Sequence, residues 1–355
     1  MYNTEHILFF SEKSIEKYFM HIKYSLSVIV PVYNSSQFLF DSLSSLKNQL
    51  VNNVEFVIVN DGSLDDSERV ILNFIKGDDR FRYISKLKNS GYGDTCNLGI
   101  DSSKGEYVAI FEPDDLIPQE FYKDLLEAAQ SFQADIIKYN GIFKVDTCKS
   151  VRLFKMTNFP EGVFEKNDYP RFWRTHPAIV NGIYKKSFLT KNNIRFVTGA
   201  GASYQDAQFA VSLYYADPMI LIVNDCKYQY RQHSNQSVAL LSSGALNAVF
   251  DNWIEFFEKN TDNIKNHEYW FANIQMYRQF TSLNKRFIFD KNKMNIFYLE
   301  HVRKTGLPKL KYLRWFCFGY LDIIKYYWFL ITGIARVCSQ FISWQSFGSK
   351  TRLPR

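Results

Sequence analysis

From Tyr24 to Tyr139, short apolar runs alternate with amphipathic stretches of about 10 to 15 residues. Ser27-Val28-Ile29-Val30, Val54 to Val59, Phe81 to Ser85, Tyr107 to Phe111 and Asp135 to Tyr139 are short, and most are β-branched; each reads as a buried strand. Between them, Phe38, Leu39, Leu43 and Leu46 form a helical stripe after Ser35 or Ser36. Val70, Ile71, Phe74 and Ile75 form a second stripe after Asp65 or Asp66. A third helix follows the turn Asn89-Ser90-Gly91-Tyr92-Gly93 and ends near Gly105. A fourth runs from Pro118 to Phe132. This rhythm predicts βαβ units, hence an α/β fold with a mostly parallel sheet flanked by helices.

Beyond Tyr139 the rhythm breaks. Residues 141 to 165 read as β-hairpin material, and Arg171 to Leu189 is mixed. A helix is expected over Ser203 to Tyr215 and one long strand over Met219 to Tyr230. Helices dominate from Gly244 to about Arg303. The expected organisation is an N-terminal extension (1–23), an α/β domain (24–238), a helical region (239–305) and a tail (306–355).

Composition changes this picture mainly at the tail. A hydrophobic content of 46% with 17% aromatic residues excludes a disordered chain. The formal net charge is +7, and residues 308 to 355 alone hold eight Lys and Arg against one acid, Asp322. There Trp315, Phe316, Trp328, Phe329 and Trp344 interleave with basic residues, a composition suited to an anionic membrane surface or to packing on the body. No recognised nucleic-acid motif accompanies them. Five cysteines without CxxC spacing support neither a disulfide framework nor a zinc site. No apolar run is long enough to span a bilayer, and the N-terminus lacks an uninterrupted signal-peptide core. The expected location is cytoplasmic and peripheral on the inner face of the membrane.

Chemistry concentrates at strand ends. Glu112-Pro113-Asp114-Asp115 follows an apolar strand, where ligands bind in open α/β sheets. Clustered carboxylates repel unless a cation or a hydrogen-bonding ligand neutralises them; the alternative is a turn whose acids cap the next helix. After the first strand the turn is Pro31-Val32-Tyr33-Asn34, with no glycine. That excludes a dinucleotide fingerprint and a P-loop, and suggests a diphosphate held by a metal ion.

Ser27 to Asn34, Val57 to Ser63, Asn89-Ser90-Gly91, Asn97-Leu98-Gly99 and Glu112 to Asp115, in this order and spacing, resemble the family 2 glycosyltransferases with a GT-A fold. The resemblance spans roughly Tyr24 to Ser237. It implies a nucleotide-sugar site in which Pro31, Val32, Tyr33, Asn34 and Asp61 hold the base, with Asn89 and Gly91 nearby. The alternative for Asp61 is a plain Asp-Gly turn. Glu112 falls near the ribose or the metal, with Pro113 between it and Asp114. Asp114 matches the residue that coordinates Mn²⁺ or Mg²⁺ through the diphosphate, and Asp115 either ligates or orients its neighbour.

Two positions depart from the family: Glu112 replaces an aspartate, and Cys96 replaces an arginine whose contact must come from elsewhere, such as Lys88. Asp206, in Gln205-Asp206, resembles the catalytic base of inverting members; an acid favoured at a helix N-terminus is the alternative. His233 resembles a late metal ligand, Arg231 a phosphate contact, and His176 an acceptor-side contact, a structural role being the alternative for each histidine. The implied reaction is metal-dependent, inverting transfer from a UDP-sugar to a saccharide or lipid-linked saccharide hydroxyl, in bacterial surface polysaccharide synthesis. The alternative function is a non-catalytic GT-A-like domain that binds a saccharide or tethers an assembly at the membrane.

Overall fold

The computed structural model describes residues 24–146, 151–155, 161–164, 178–198, 205–225 and 227–234. The described residues belong to one compact unit. The expectations for residues 1–23, for His176, for the helical region and for the basic tail lie outside them.

The βαβ expectation is met. Strands β1 (Tyr24–Val32), β2 (Val54–Asn60), β3 (Phe81–Ser85) and β4 (Gly105–Ile110) alternate with helices α1 (Ser36–Lys47), α2 (Ser67–Phe74) and α3 (Tyr92–Ser102). Helix α4 (Phe121–Phe132) leads to β5 (Ile136–Tyr139), followed by β6 (Gly141–Val145), β7 (Val151–Lys155), β8 (Gly162–Phe164) and β9 (Gly182–Lys185). Then come α5 (Lys186–Lys191), α6 (Gln205–Tyr215), β10 (Ile220–Val223) and β11 (Tyr228–Arg231).

The larger sheet has the order β3-β2-β1-β4-β9-β5-β10-β8. Strands β3, β2, β1 and β4 are mutually parallel, and β10 is parallel to β5; β9 and β8 run against their neighbours. A sheet of this kind must be covered on both faces, so its central strands are apolar throughout. Val28, Ile29, Val30, Val57, Ile58 and Val59 are all fully buried. Helix α3 covers one face, with Gly99 pressed on Ile29. Helix α4 covers the other, where Phe121 meets Tyr139.

The long strand expected over Met219 to Tyr230 is two strands. β10 pairs with β5 in the large sheet, whereas β11 pairs with β6 in a second sheet ordered β11-β6-β7. Alternation in the second half was the signal of a change of partner, but an apolar pattern does not name the partner. β6 and β7 form the expected antiparallel hairpin.

Serine side chains do not cap α1 as expected. The Ser35 and Ser36 N–H groups instead donate to Ser67 Oγ and Asp65 Oδ2, and Asp65 Oδ1 also accepts from Ser67 N–H. One aspartate thus satisfies orphan donors at the starts of two helices. The turns after β1 and β2 clasp each other, with Asn34 N–H on Ser63 Oγ and Leu64 N–H on Asn34 Oδ1. β1 lies between β2 and β4, so the chain reverses its direction of sheet growth there. That switch point opens the crevice beyond the C-terminal ends of β1, β2 and β4.

Candidate active site

Tyr33, Asn34, Asp61, Asn89, Gly91, Glu112, Asp114, Arg231 and His233 all belong to segments leaving this edge of the sheet or pinned to them. Pro31 and Val32 differ: they are buried inside β1, and the Val32 carbonyl accepts from Asp61 N–H at 2.8 Å. Of that turn, only Tyr33 and Asn34 stand beyond the strand, and Tyr33 is 43% exposed.

Asp61 is buried and already engaged. Its oxygens accept from Ser90 N–H (2.9 Å) and Gly91 N–H (3.0 Å), and Lys86 Nζ lies 2.7 Å from Oδ1. Lys86 also donates to Asp94 Oδ2 (2.8 Å) and Thr95 Oγ1 (3.0 Å). Asp61 therefore shapes the Asn89–Gly91 turn, and a base contact would use its remaining acceptor capacity. Lys88, proposed from sequence as a substitute cation, is exposed; Lys86 is the cation in this network. The basic residues flanking β3 were visible in sequence, but which one turns inward was not.

Glu112 is half-buried, and Tyr92 Oη donates to its Oε1 at 2.6 Å. Cys96 is fully buried on the same helix as Tyr92, and burial pushes its thiol far above the usual range, which disfavours the thiolate. Tyr92 lies one turn earlier on α3. Burial, with the Asp114 charge second, pushes Glu112 up to about 8.

The sign of that shift sets a stability prediction. The folded chain holds a proton on Glu112 that the unfolded chain loses above its ordinary range. This group's contribution to stability therefore falls as pH rises from about 4.5 to about 8. In EDTA, Glu112→Gln should melt higher than the parent at pH 8 and level with it at pH 4. A difference independent of pH would contradict the burial argument.

Asp114 and Asp115 have separated roles. Asp114 Oδ2 lies 2.9 Å from His233 Nε2. Asp115 is fully buried and turned away, accepting from Tyr228 Oη (2.7 Å) and Arg231 N–H (2.9 Å). It therefore ties β11 to the acidic segment. Arg231 strengthens the tie: its Nε donates to the Asp114 carbonyl, and its plane lies over Phe38. Its other nitrogens face Asp41 Oδ2 at 3.3 Å and the Phe38 carbonyl at 3.4 Å. Phe38 also lies 4.2 Å from the His233 ring, centroid to centroid. Sequence reading took Phe38 only as part of a helical stripe.

Asp206 opens α6, half-buried. Gln205 fixes that helix: its Oε1 accepts from Gly93 N–H at 2.8 Å. A Cβ at Gly93 would stand 2.1 Å from the Val197 carbonyl, so only glycine permits this approach. Asn97 exchanges two 2.9 Å hydrogen bonds with the Phe196 backbone, and Phe196 stacks on Phe209 of α6 at 4.1 Å. These contacts bring Asp206 close enough to Glu112 for its charge to add to the upward shift there. Among the described residues no group of three or more His, Cys, Asp or Glu forms a ready-made metal cage.

The acidic cluster thus sits at the strand-end switch point of an α/β sheet, and a later helix brings a second carboxylate, Asp206, toward it. Residues 27–204 match the family model described as glycosyl transferase family 2, and the chain belongs to that family of enzymes. The glycosyltransferase GlyG of Streptococcus pneumoniae is 26% identical over 223 residues, covering 59% of this chain and 71% of GlyG. The minor teichoic acid biosynthesis protein GgaB of Bacillus subtilis is 26% identical over 249 residues, covering 69% of this chain and 27% of GgaB. The crystal structure of S. aureus TarS 1–349 in complex with UDP-GlcNAc superposes with a TM-score of 0.64 at 19% identity, covering 79% of this chain and 82% of that one. The α/β architecture is therefore the GT-A type seen there. Among the described residues, no helix is long and apolar enough to cross a membrane.

Proposed function

We propose that the chain is an inverting, metal-dependent glycosyltransferase that moves a sugar from a UDP-sugar to a saccharide or lipid-linked saccharide hydroxyl. The observation that carries this reading is the approach of Asp114 Oδ2 and His233 Nε2 to 2.9 Å at the switch-point edge. The donors are a carboxylate oxygen, which suits Mn²⁺ or Mg²⁺, and an imidazole nitrogen, which Mn²⁺ accepts more readily than the harder Mg²⁺. Asp114 and His233 would hold that ion. When bound, it would supply Lewis-acid stabilisation of the departing diphosphate.

The protein's own groups do the rest. Tyr33, Asn34 and Asp61 border the space for the base, and Glu112, held by Tyr92, borders the ribose or the metal. Asp206 accepts the proton of the attacking hydroxyl as its oxygen bonds to the anomeric carbon and the bond from that carbon to the UDP oxygen breaks on the opposite face, which inverts the configuration there. The relationship to GgaB and the fold shared with the UDP-GlcNAc-bound TarS structure support a UDP-linked donor and a bacterial surface polymer as product. Residues 306–355 complete the proposal as a peripheral membrane contact on the cytoplasmic face, and liposome flotation with and without residues 308–355 tests that part.

The donor reading is tested by thermal unfolding. UDP with Mn²⁺ should raise the melting temperature well beyond either alone, since a ligand that binds only the folded state stabilises it. No shift with any of a panel of nucleoside diphosphates would overturn it.

A further inference from the structure

Three tyrosines stand at the acidic strand end, and two of them donate to it. Tyr92 Oη donates to Glu112 Oε1 at 2.6 Å, and Tyr228 Oη donates to Asp115 Oδ2 at 2.7 Å. The third is Tyr230, half-buried on β11 two residues after Tyr228. Among the described residues its hydroxyl has no hydrogen-bond partner.

The backbone of β11 fixes where that hydroxyl stands. Gln229 exchanges hydrogen bonds with the Leu116 backbone at 2.9 and 3.1 Å, and Arg231 N–H donates to Asp115 Oδ1 at 2.9 Å. Tyr230 lies between these two ties, so its strand runs beside the end of the Glu112–Asp115 segment. Residues two apart on a strand share a face, so Tyr230 projects on the side from which Tyr228 reaches Asp115. Burial, then the charges of Asp115, Asp114, Glu112 and Asp206 in that order, hold its phenol well above the usual range. The phenol therefore stays a protonated donor, within range of the strand-end acids and of Asp206.

A site lined by carboxylates accepts hydrogen bonds and has few to give. An entering diphosphate is itself an acceptor, so it needs donors as well as a cation. The nearby basic side chains are engaged: Lys86 with Asp61 and Asp94, and Arg231 with Asp41 and the Asp114 and Phe38 carbonyls. Tyr230 offers a donor that is not engaged, in range of both the aspartate that pairs with His233 and the aspartate that opens α6. In the donor, the group that must come near both a metal-binding carboxylate and the base is the phosphate bonded to the anomeric carbon.

We propose that Tyr230 is a further substrate-contacting residue, whose hydroxyl donates a hydrogen bond to the β-phosphate of the nucleotide sugar. When the bond from the anomeric carbon to that phosphate's oxygen breaks, its electron pair stays on the oxygen. Charge then grows on the departing phosphate, and the hydrogen bond strengthens. This assignment rests on the donor reading above.

The test compares the full chain with its Tyr230→Phe variant, which removes one oxygen and keeps the ring. Affinities for UDP and for UMP, each with Mn²⁺, are measured by titration calorimetry, beside the melting temperature without ligand. The unliganded melting temperatures should match, because the hydroxyl has no partner in the protein to lose. Tyr230→Phe should bind UDP at least about tenfold more weakly, the scale of a hydrogen bond to a charged group, and bind UMP as the parent does.

Equal UDP affinity in variant and parent would overturn the proposal and leave the donor reading intact. An equal loss for UDP and UMP would overturn it too, by placing the hydroxyl away from the β-phosphate. So would a variant that melts lower or does not fold, since the hydroxyl would then have a partner inside the protein. A parent that binds neither nucleotide would remove the donor reading, and this assignment with it.

Discussion

Asp206→Asn should transfer sugar at least about 10²-fold more slowly than the parent while binding UDP nearly as well. Asparagine keeps the shape of the side chain but cannot take a proton from an attacking hydroxyl. Gln205, Gly93 and the Phe196–Phe209 stack hold the start of α6, and none of these contacts involves the substituted group. The variant should therefore fold. Steady-state transfer, with UDP titrated by thermal shift in parallel, separates the two readings of this residue. An acid that merely favours the helix N-terminus would, when replaced, lower stability by about 0.3–1 kcal/mol and leave turnover alone. Parental turnover in purified Asp206→Asn protein would end its assignment as base.

Asp114→Asn should abolish the extra stabilisation that Mn²⁺ gives to UDP binding and cut transfer by at least about 10²-fold, since a metal's charge stabilisation is several kcal/mol. The carboxylate would supply the anionic oxygen to the ion, so its loss removes most of the attraction for a cation. Asp115 beside it remains, but it is buried and committed to Tyr228 and Arg231, so it is not placed to substitute. Metal-dependent UDP binding that persisted in Asp114→Asn would move the ion elsewhere.

These two aspartates were both legible as chemistry in the sequence, one as a strand-end acid and one as an acid opening a helix. Their supporting contacts were less so. Tyr92 belonged to a recognised turn, yet nothing in its spacing says that its hydroxyl meets Glu112. Lys86 and Lys88 have the same charge two residues apart, and only strand direction after Ser85 decides which one reaches Asp61. Phe38 looked like core, and it lies against both Arg231 and His233. Each miss joins residues far apart in the chain, and apolar periodicity holds no information about such pairs.

The sequence by itself determined the alternation of buried strands and amphipathic helices, the parallel half of the sheet and the acidic strand end. Those features follow from local periodicity, turn chemistry and the need to cover a parallel sheet on both faces. Only the tertiary structure decided that Met219 to Tyr230 bends from one sheet into another and returns His233 to Asp114. It also decided that Asp115 serves that return while Asp114 is left facing the site. The reason is that adjacent residues leaving a strand point in different directions. Which of them meets a partner depends on a segment more than a hundred residues further along the chain.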